Sequence, residues 1–262
     1  MNIADDEFYR TRISRREDFA PDLWMVRVQV PGEFKFLPGQ RATLGVQGLN
    51  RRHERPYSIV SSPYEREIEF FLELVPGGEL TPLLHKLHPG DEILTRKIPE
   101  GHFTLNTASG RQNHLLISTG TGVAPFVSFA RTLYREWKDL KFRGQHTLHL
   151  LNGASHSWEF GYHQELLRVA RETPWFKYVP TVTRPWEDTQ WPGEKGRVDD
   201  LLRKYADRWN LTGSNTTAYL SGHPRMVENV KAILKHVGLA KEHLREQAYW
   251  APDEHSAAQP PF

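Results

Sequence analysis

Four consecutive residues, Arg55-Pro56-Tyr57-Ser58, bring a guanidinium, an aromatic ring and a hydroxyl into one short run. In an extended segment alternate side chains share a face, so Arg55 and Tyr57 can address one ligand together, with Ser58 close by. That set suits a flat heteroaromatic ring tied to phosphates. Tyrosine stacks on the ring, arginine takes a phosphate bidentately, and serine hydrogen-bonds a ring nitrogen. Taken alone, the run reads more plainly as a solvated strand with a stray tyrosine.

Other runs of the same character follow downstream. Pro76-Gly77-Gly78-Glu79-Leu80-Thr81 precedes an apolar helical stretch. Its glycines let backbone approach a ligand, and a helix start attracts anions; a plain hairpin turn is the alternative. Ser118-Thr119-Gly120-Thr121-Gly122-Val123-Ala124-Pro125 lies where an apolar strand meets a helix. It is not the GxGxxG fingerprint, but it places glycine amides where a pyrophosphate could bind. Ser221-Gly222-His223-Pro224-Arg225-Met226 is a second switch of this kind. Ligands of open α/β sheets bind at the carboxyl ends of strands, so both loops belong on one rim. Arg184 and Arg197 follow further candidate strands and could clamp an extra phosphate there, or simply be exposed. Tyr249-Trp250, near the end, could pack a domain seam or stack on a ring.

These residues need two kinds of scaffold. Up to about residue 106 the pattern is all-β. Segments 24–30, 41–46, 57–60, 68–75 and 91–97 are bounded by Gly or Pro, as in a small antiparallel barrel or sandwich. One helix interrupts them over 81–87, with Thr81 as N-cap and Pro82 at the first helical position. Residues 107–113 read as a linker. Beyond it, strands at 115–118, 146–151, 176–182 and 217–221 alternate with helices, including 159–171 and 224–237. Alternating β and α elements imply a doubly wound parallel sheet. Met226, Val230, Ile233, Leu234 and Val237 share a helix face and are expected in the core. The expected organisation is therefore an antiparallel β-barrel over 1–106 and an α/β domain over 107–262, with a tail at 251–262.

The chain has 262 residues, 38% hydrophobic and 25% charged, with a formal net charge of +2. This is the balance of a globular protein of one large or two ordinary domains, and no global field argues for nucleic acid. Arg10, Arg12, Arg15 and Arg16 cluster, as do Arg51 and Arg52. Such faces could steer an acidic protein partner, or be solvated surface. The absence of cysteine excludes disulfides, thiolate zinc sites and a Cys-ligated iron–sulfur cluster in this chain. No metal site is expected. Residues 1–7 do not resemble a signal peptide, and no apolar run approaches the about 20 residues that span a bilayer. The expectation is a cytoplasmic protein without membrane contact.

Taken in order, Arg55-Pro56-Tyr57-Ser58, Gly77-Gly78-Glu79-Leu80-Thr81, Gly120-Thr121-Gly122-Val123-Ala124-Pro125, Ser221-Gly222-His223-Pro224-Arg225-Met226 and Tyr249-Trp250 resemble the ferredoxin–NADP reductase family, its bacterial branch above all. The likeness runs over about residues 5–250. It implies an FAD-binding barrel joined to an NADP-binding α/β domain. By position, Arg55 would hold the FAD pyrophosphate, Tyr57 would stack on the isoalloxazine, and Ser58 would sit near flavin N5. Gly78, Leu80 and Thr81 would wrap the phosphates, with Pro56, Leu72 and Leu74 also at the flavin. Thr119, Gly120, Thr121, Gly122 and Gly222 would meet the nicotinamide dinucleotide, and Arg184 and Arg197 its 2′-phosphate. Tyr249 would cover the second flavin face and Trp250 the adenine, with Phe262 a further cover. The reacting set would be Tyr57, Ser58, Ser221 and Tyr249.

The chain departs from the family at Ser221, where a cysteine is usual, at Gln247, where a glutamate is often found, and at Ser155, where an arginine is common. The implied activity moves electrons between NADPH and a separate one-electron carrier such as ferredoxin or flavodoxin, by a monomeric enzyme. The alternatives are an NAD(P)H-dependent flavin or ferric reductase and a catalytically impaired flavin-binding protein.

Overall fold

The computed structural model describes residues 7–48 and 51–249. Trp250 and Phe262, assigned above to adenine, lie outside the described residues. The chain forms two six-stranded sheets. The first holds β1 (Phe8–Ala20), β2 (Leu23–Gln29), β3 (Arg41–Gln47), β4 (Arg52–Ser58), β5 (Ile68–Glu73) and β6 (Glu92–Arg96). Their order is β4-β3-β6-β1-β2-β5, all antiparallel, and an Ile59–Phe70 bridge joins the two ends into a barrel. Four of the five expected strands are present within a few residues of their expected bounds; the one expected at 57–60 is instead β4, which starts five residues earlier and ends at Ser58 because Ile59 forms only an isolated bridge to Phe70. β1 was not anticipated: it is long and arginine-rich, and beside the buried Thr11 only Phe8 and Ile13 of its apolar residues are fully buried, so its alternation is faint.

β5 explains how the barrel meets its neighbour. Ile68, Phe70 and Leu72 enter the barrel core, while Phe71 belongs to a second core shared with the other lobe. A strand covered on both faces reads as a continuous apolar run rather than an alternating one. Glu69, on the outward face, is 0% exposed. It accepts hydrogen bonds from Arg27 Nε at 2.6 Å, Arg131 at 3.1 Å and Tyr162 Oη at 2.8 Å. The two cations hold its carboxyl below the usual range against the opposing effect of burial.

The helix α1 (Thr81–His85) begins one residue earlier than expected, with Leu80 as N-cap and no side-chain cap. Thr81 Oγ1 instead accepts from the Val75 backbone N–H at 3.0 Å and so pins the loop before the helix.

The second sheet holds β7 (Asn113–Thr119), β8 (Thr147–Ala154), β9 (Phe176–Val182), β10 (Glu194–Lys195), β11 (Thr216–Gly222) and β12 (Leu244–Ala248) in the order β10-β9-β8-β7-β11-β12. Every pairing is parallel. Helices α2 (Ala124–Lys138) and α3 (His163–Glu172) pack on the face shared with the barrel; α4 (Val198–Arg208) and α5 (Pro224–His236) cover the other. The helix expected from residue 159 starts at His163, after a 3-10 turn over Ser157–Glu159. On α5, Met226, Val230 and Leu234 are buried as expected, but Val237 is 62% exposed, because it is the C-cap, where the chain leaves the helix face. The order reverses between β7 and β11, the switch point where such sheets open a crevice.

The early arginines do not form a bare basic face. Arg10 pairs with Glu92, Arg15 with Glu17 and Arg16 with Asp18.

Candidate active site

At the switch point, β7 and β11 end side by side and their turns interlock. A Cβ on Gly122 would lie 2.3 Å from the Ser221 carbonyl oxygen; one on Gly222 would lie 2.5 Å from Thr119 Oγ1, at a φ of +132°. Only glycine permits that approach. Thr119 Oγ1 accepts the His223 backbone N–H at 3.0 Å and ties the turns together. His223 then caps α5, its Nδ1 accepting from Arg225 N at 3.2 Å. Burial, with Arg225 and Arg197 nearby, lowers its pKa, which keeps the ring neutral for that task.

A cleft of about 540 Å³ opens over these turns. Of the expected residues, Thr119, Gly120, Thr121, Arg197, Gly222 and Tyr249 line it, and Leu74 borders it from the barrel. Arg184 lies off the lining, exposed and 3.7 Å from Glu187. Arg197 is itself 3.2 Å from Asp199. Ser155 also lines the cleft, its backbone N–H held by Glu159 Oε2 at 2.8 Å.

The barrel contributes the facing side. β3 and β4 pair Arg41 with Ser58 and Ala42 with Tyr57. Tyr57 packs against the barrel core, and its burial lifts the phenol well above its ordinary value against the pull of Arg55. Arg55 is exposed and 3.8 Å from Glu79, which also pairs with Arg51. Pro56 is exposed. Leu72, Leu80 and Thr81 are buried in the barrel and Leu74 packs on it. Leu72, Leu80 and Thr81 face inward, so only their backbone is available to a ligand, whereas the partly buried Leu74 reaches the cleft edge. Gly78 sits in the turn between β5 and α1, its N–H on the Val75 carbonyl at 3.0 Å.

The lobes meet at Ser58. Its Oγ accepts from Gln247 Nε2 at 2.7 Å and from Tyr249 Oη at 2.7 Å. Tyr249 is set there by its backbone N–H on the Gly222 carbonyl at 3.1 Å. Burial raises the Tyr249 phenol, and the neighbouring Ser221 and Ser58 hydroxyls draw it back. Ser221 Oγ stands beside it, buried, without completing a hydrogen bond. With both lone pairs of Ser58 used, its own proton has no acceptor among the described residues. Glu246 points elsewhere, to Lys231 at 2.8 Å.

This donor set fits a flavin dinucleotide and a nicotinamide dinucleotide. An uncommitted hydroxyl proton and a mostly buried tyrosine at the cleft edge suit a heteroaromatic ring; glycine turns at a switch point, flanked by Arg197 and Arg225, suit phosphates. Glu73, Glu159, His223 and Arg225 line the cleft too and were not singled out individually. The rule that strand ends carry ligands could have found Glu159, His223 and Arg225; Glu73 needs the second lobe to be recognised. Among the described residues no group of His, Asp or Glu could hold a metal, and no helix is long and apolar enough to cross a membrane.

Known proteins match this arrangement. The oxidoreductase FAD-binding domain family matches residues 10–105 and the oxidoreductase NAD-binding domain family residues 116–232. A ferredoxin–NADP reductase of Pseudomonas aeruginosa is 31% identical over 225 residues, covering 80% of this chain and 81% of that one. The reductase component of the naphthalene 1,2-dioxygenase system of Pseudomonas putida is 30% identical over 239 residues, covering 87% of this chain; the chain spans only 65% of that relative's length. Among solved structures, a ferredoxin NADP+ reductase from Neisseria gonorrhoeae with bound FAD and NADP superposes with a TM-score of 0.80 at 24% identity, covering 92% of this chain and 98% of that one.

Proposed function

Because this chain belongs to the ferredoxin–NADP reductase family, and is thus an oxidoreductase with FAD-binding and NAD(P)-binding units, we propose that it passes electrons from NADPH through FAD to a separate one-electron carrier, a ferredoxin or flavodoxin. The observation that carries this reading is the Ser58–Gln247–Tyr249 junction, where the barrel and the glycine turns of the α/β sheet converge. FAD, when bound, takes two electrons together from the reduced dinucleotide and releases them singly.

The protein's part is orientation. Gln247 and Tyr249 both donate to Ser58, which directs the serine proton toward the reacting ring. Tyr57 supports the ring from the barrel. Arg55 meets the flavin pyrophosphate, and Gly78 with the backbone at Leu72, Leu74, Leu80 and Thr81 lines its path. Tyr249 guards the second face and must swing aside for the nicotinamide, giving up its Ser58 bond at about 1 kcal/mol. Its backbone tie to Gly222 leaves the side chain free to turn. Preference for NADP over NAD is supported by Arg197 in the cleft and Arg184 beside it, although each guanidinium must be drawn from a carboxylate. Ser221 and Gln247 remove titratable side chains from the reacting set.

We divide the lobes between residues 106 and 107, near the Asn106 N–H that bonds Tyr219 Oη at 2.8 Å, and read the enzyme as a cytoplasmic monomer.

The visible spectrum of the purified protein tests the reading first: a colourless preparation that cannot be reconstituted with FAD sinks it. NADPH-driven reduction then separates the acceptors. Turnover faster with ferredoxin or flavodoxin than with free flavin supports a carrier reductase; the reverse makes it a flavin reductase. A yellow protein inert even to ferricyanide would be a flavin-binding protein that has lost catalysis.

A further inference from the structure

β5 sets Glu73 between Leu72 and Leu74, whose side chains pack on the barrel core. Strand alternation turns Glu73 the other way, into the cleft. Its Oε2 lies 3.5 Å from where a Cβ on Gly120 would stand, so the carboxylate rests against the first glycine turn. Most carboxylates bordering this cleft are engaged: Glu159 holds Ser155 N and His156, and Asp199 holds Arg197 and Asn229. Glu73 has no cationic partner among the described residues.

The charges that face it are Asp22, from the β1–β2 turn, and Glu159, from the 3-10 turn after β8. Desolvation at the cleft rim, with these two charges adding to it, raises its pKa, although the side chain itself is exposed. Arg197, Arg225 and His223 form a separate cluster, close enough for both arginines to lower the histidine's pKa. One cleft therefore has Arg197 and Arg225 at one place and the carboxylates of Glu73 and Glu159 at another. A dinucleotide places its phosphates by the first. Its nicotinamide end, bound for Tyr249 at the barrel seam, must pass the second.

We propose that Glu73 reads the charge of the nicotinamide ring, favouring the cationic oxidised form over the neutral reduced form and so setting the ratio of affinities for the two. The proposal rests on the dinucleotide reading above. An uncompensated carboxylate near a unit positive charge in a cleft of intermediate dielectric changes affinity by about tenfold.

The test is calorimetric titration at pH 8 of the FAD-loaded protein, wild type against Glu73→Gln and Glu73→Asp. The ligands are NADP+, the redox-inert 1,4,5,6-tetrahydro-NADP with its neutral ring, and 2′-phospho-AMP, which lacks the ring. Glu73→Gln should weaken NADP+ by about tenfold and leave the other two within about twofold, while Glu73→Asp keeps most of the discrimination. Equal change for NADP+ and the tetrahydro compound, or no change in either, overturns the proposal and leaves the dinucleotide reading standing. Wild-type protein that is yellow yet binds none of the three overturns both.

Discussion

The two lobes touch along two seams of opposite character. At the first, Phe71, Met25 and Phe103 of the barrel merge with α2 and α3, around Glu69 held by Arg27, Arg131 and Tyr162. Arg131 also reaches Glu165 at 2.7 Å, and Ser128 and Thr132 bond Ser61 and Ser62. At the second, contact comes down to hydroxyl and amide groups on Ser58. The first seam holds the lobes at fixed separation. The second is weak enough to part, and it is the one that lies at the cleft. A fixed hinge side lets a light contact act as a gate without the lobes drifting.

The largest expected effect breaks the first seam. Arg131→Ala takes from Glu69 and Glu165 their shared cation; breaking a buried ion pair costs about 3–5 kcal/mol, and Arg27, which stays on Glu69, holds the loss to the lower end of that range. Urea unfolding should show a loss of that size in the unfolding free energy; a loss below about 1 kcal/mol, the range of exposed pairs, would make the seam ordinary surface.

Acid probes the same seam against the rest of the fold. Burial depresses His114 to about 3 and His149 to about 4, with His146 adding to the first and Lys177 to the second. A histidine depressed in the folded state contributes fully above its unfolded value of 6.5, and that contribution is lost as pH falls below 6.5. By pH 5 the loss is about 2 kcal/mol for each. Glu69 is depressed too, but as a carboxylate it gives its stability above 4.5 and loses it only below. Stability should therefore decline between pH 6.5 and 5 in wild type and far less in a His114→Gln, His149→Gln double variant. Equal slopes would move the cause elsewhere.

At the cleft the effects are smaller and fall on binding. Gly222→Ala forces a side chain to φ +132° and against Thr119, a strain of roughly 1–3 kcal/mol. Dinucleotide affinity measured by titration should drop while flavin content holds. Tyr249→Phe removes one hydrogen bond to Ser58, about 1 kcal/mol, which is about fivefold in the opening equilibrium. NADP+ should bind up to about fivefold more tightly, with the unfolding midpoint nearly unchanged. Weaker binding would mean the phenol holds the ligand rather than bars it.

Legibility from the sequence followed how local each feature is. Arg55 to Ser58 and the two glycine turns act through near neighbours, and their spacing is visible in a line of letters. The α/β lobe was equally open, since the apolar run Leu115–Ile117 and the strands at 147–154 and 176–182 alternate with helical stretches. β1 hid because arginines dominate its exposed face. Thr81 was misread as a cap because its hydroxyl serves the Val75 loop, a tertiary choice. Glu69 and Glu73 could not be read at all: flanked by apolar residues in β5, they look like any polar interruption until a second lobe covers one and leaves the other in a cleft.

β5 thus answers to two masters, with Phe70 and Leu72 belonging to its own barrel and Glu69 and Phe71 to the neighbour. A barrel severed from its companion would present phenylalanine and methionine to water, with Glu69 left to Arg27 alone, inviting aggregation. Anyone building chimaeras from two such reductases would therefore do well to move the outward residues of this strand together with the helices they were shaped against.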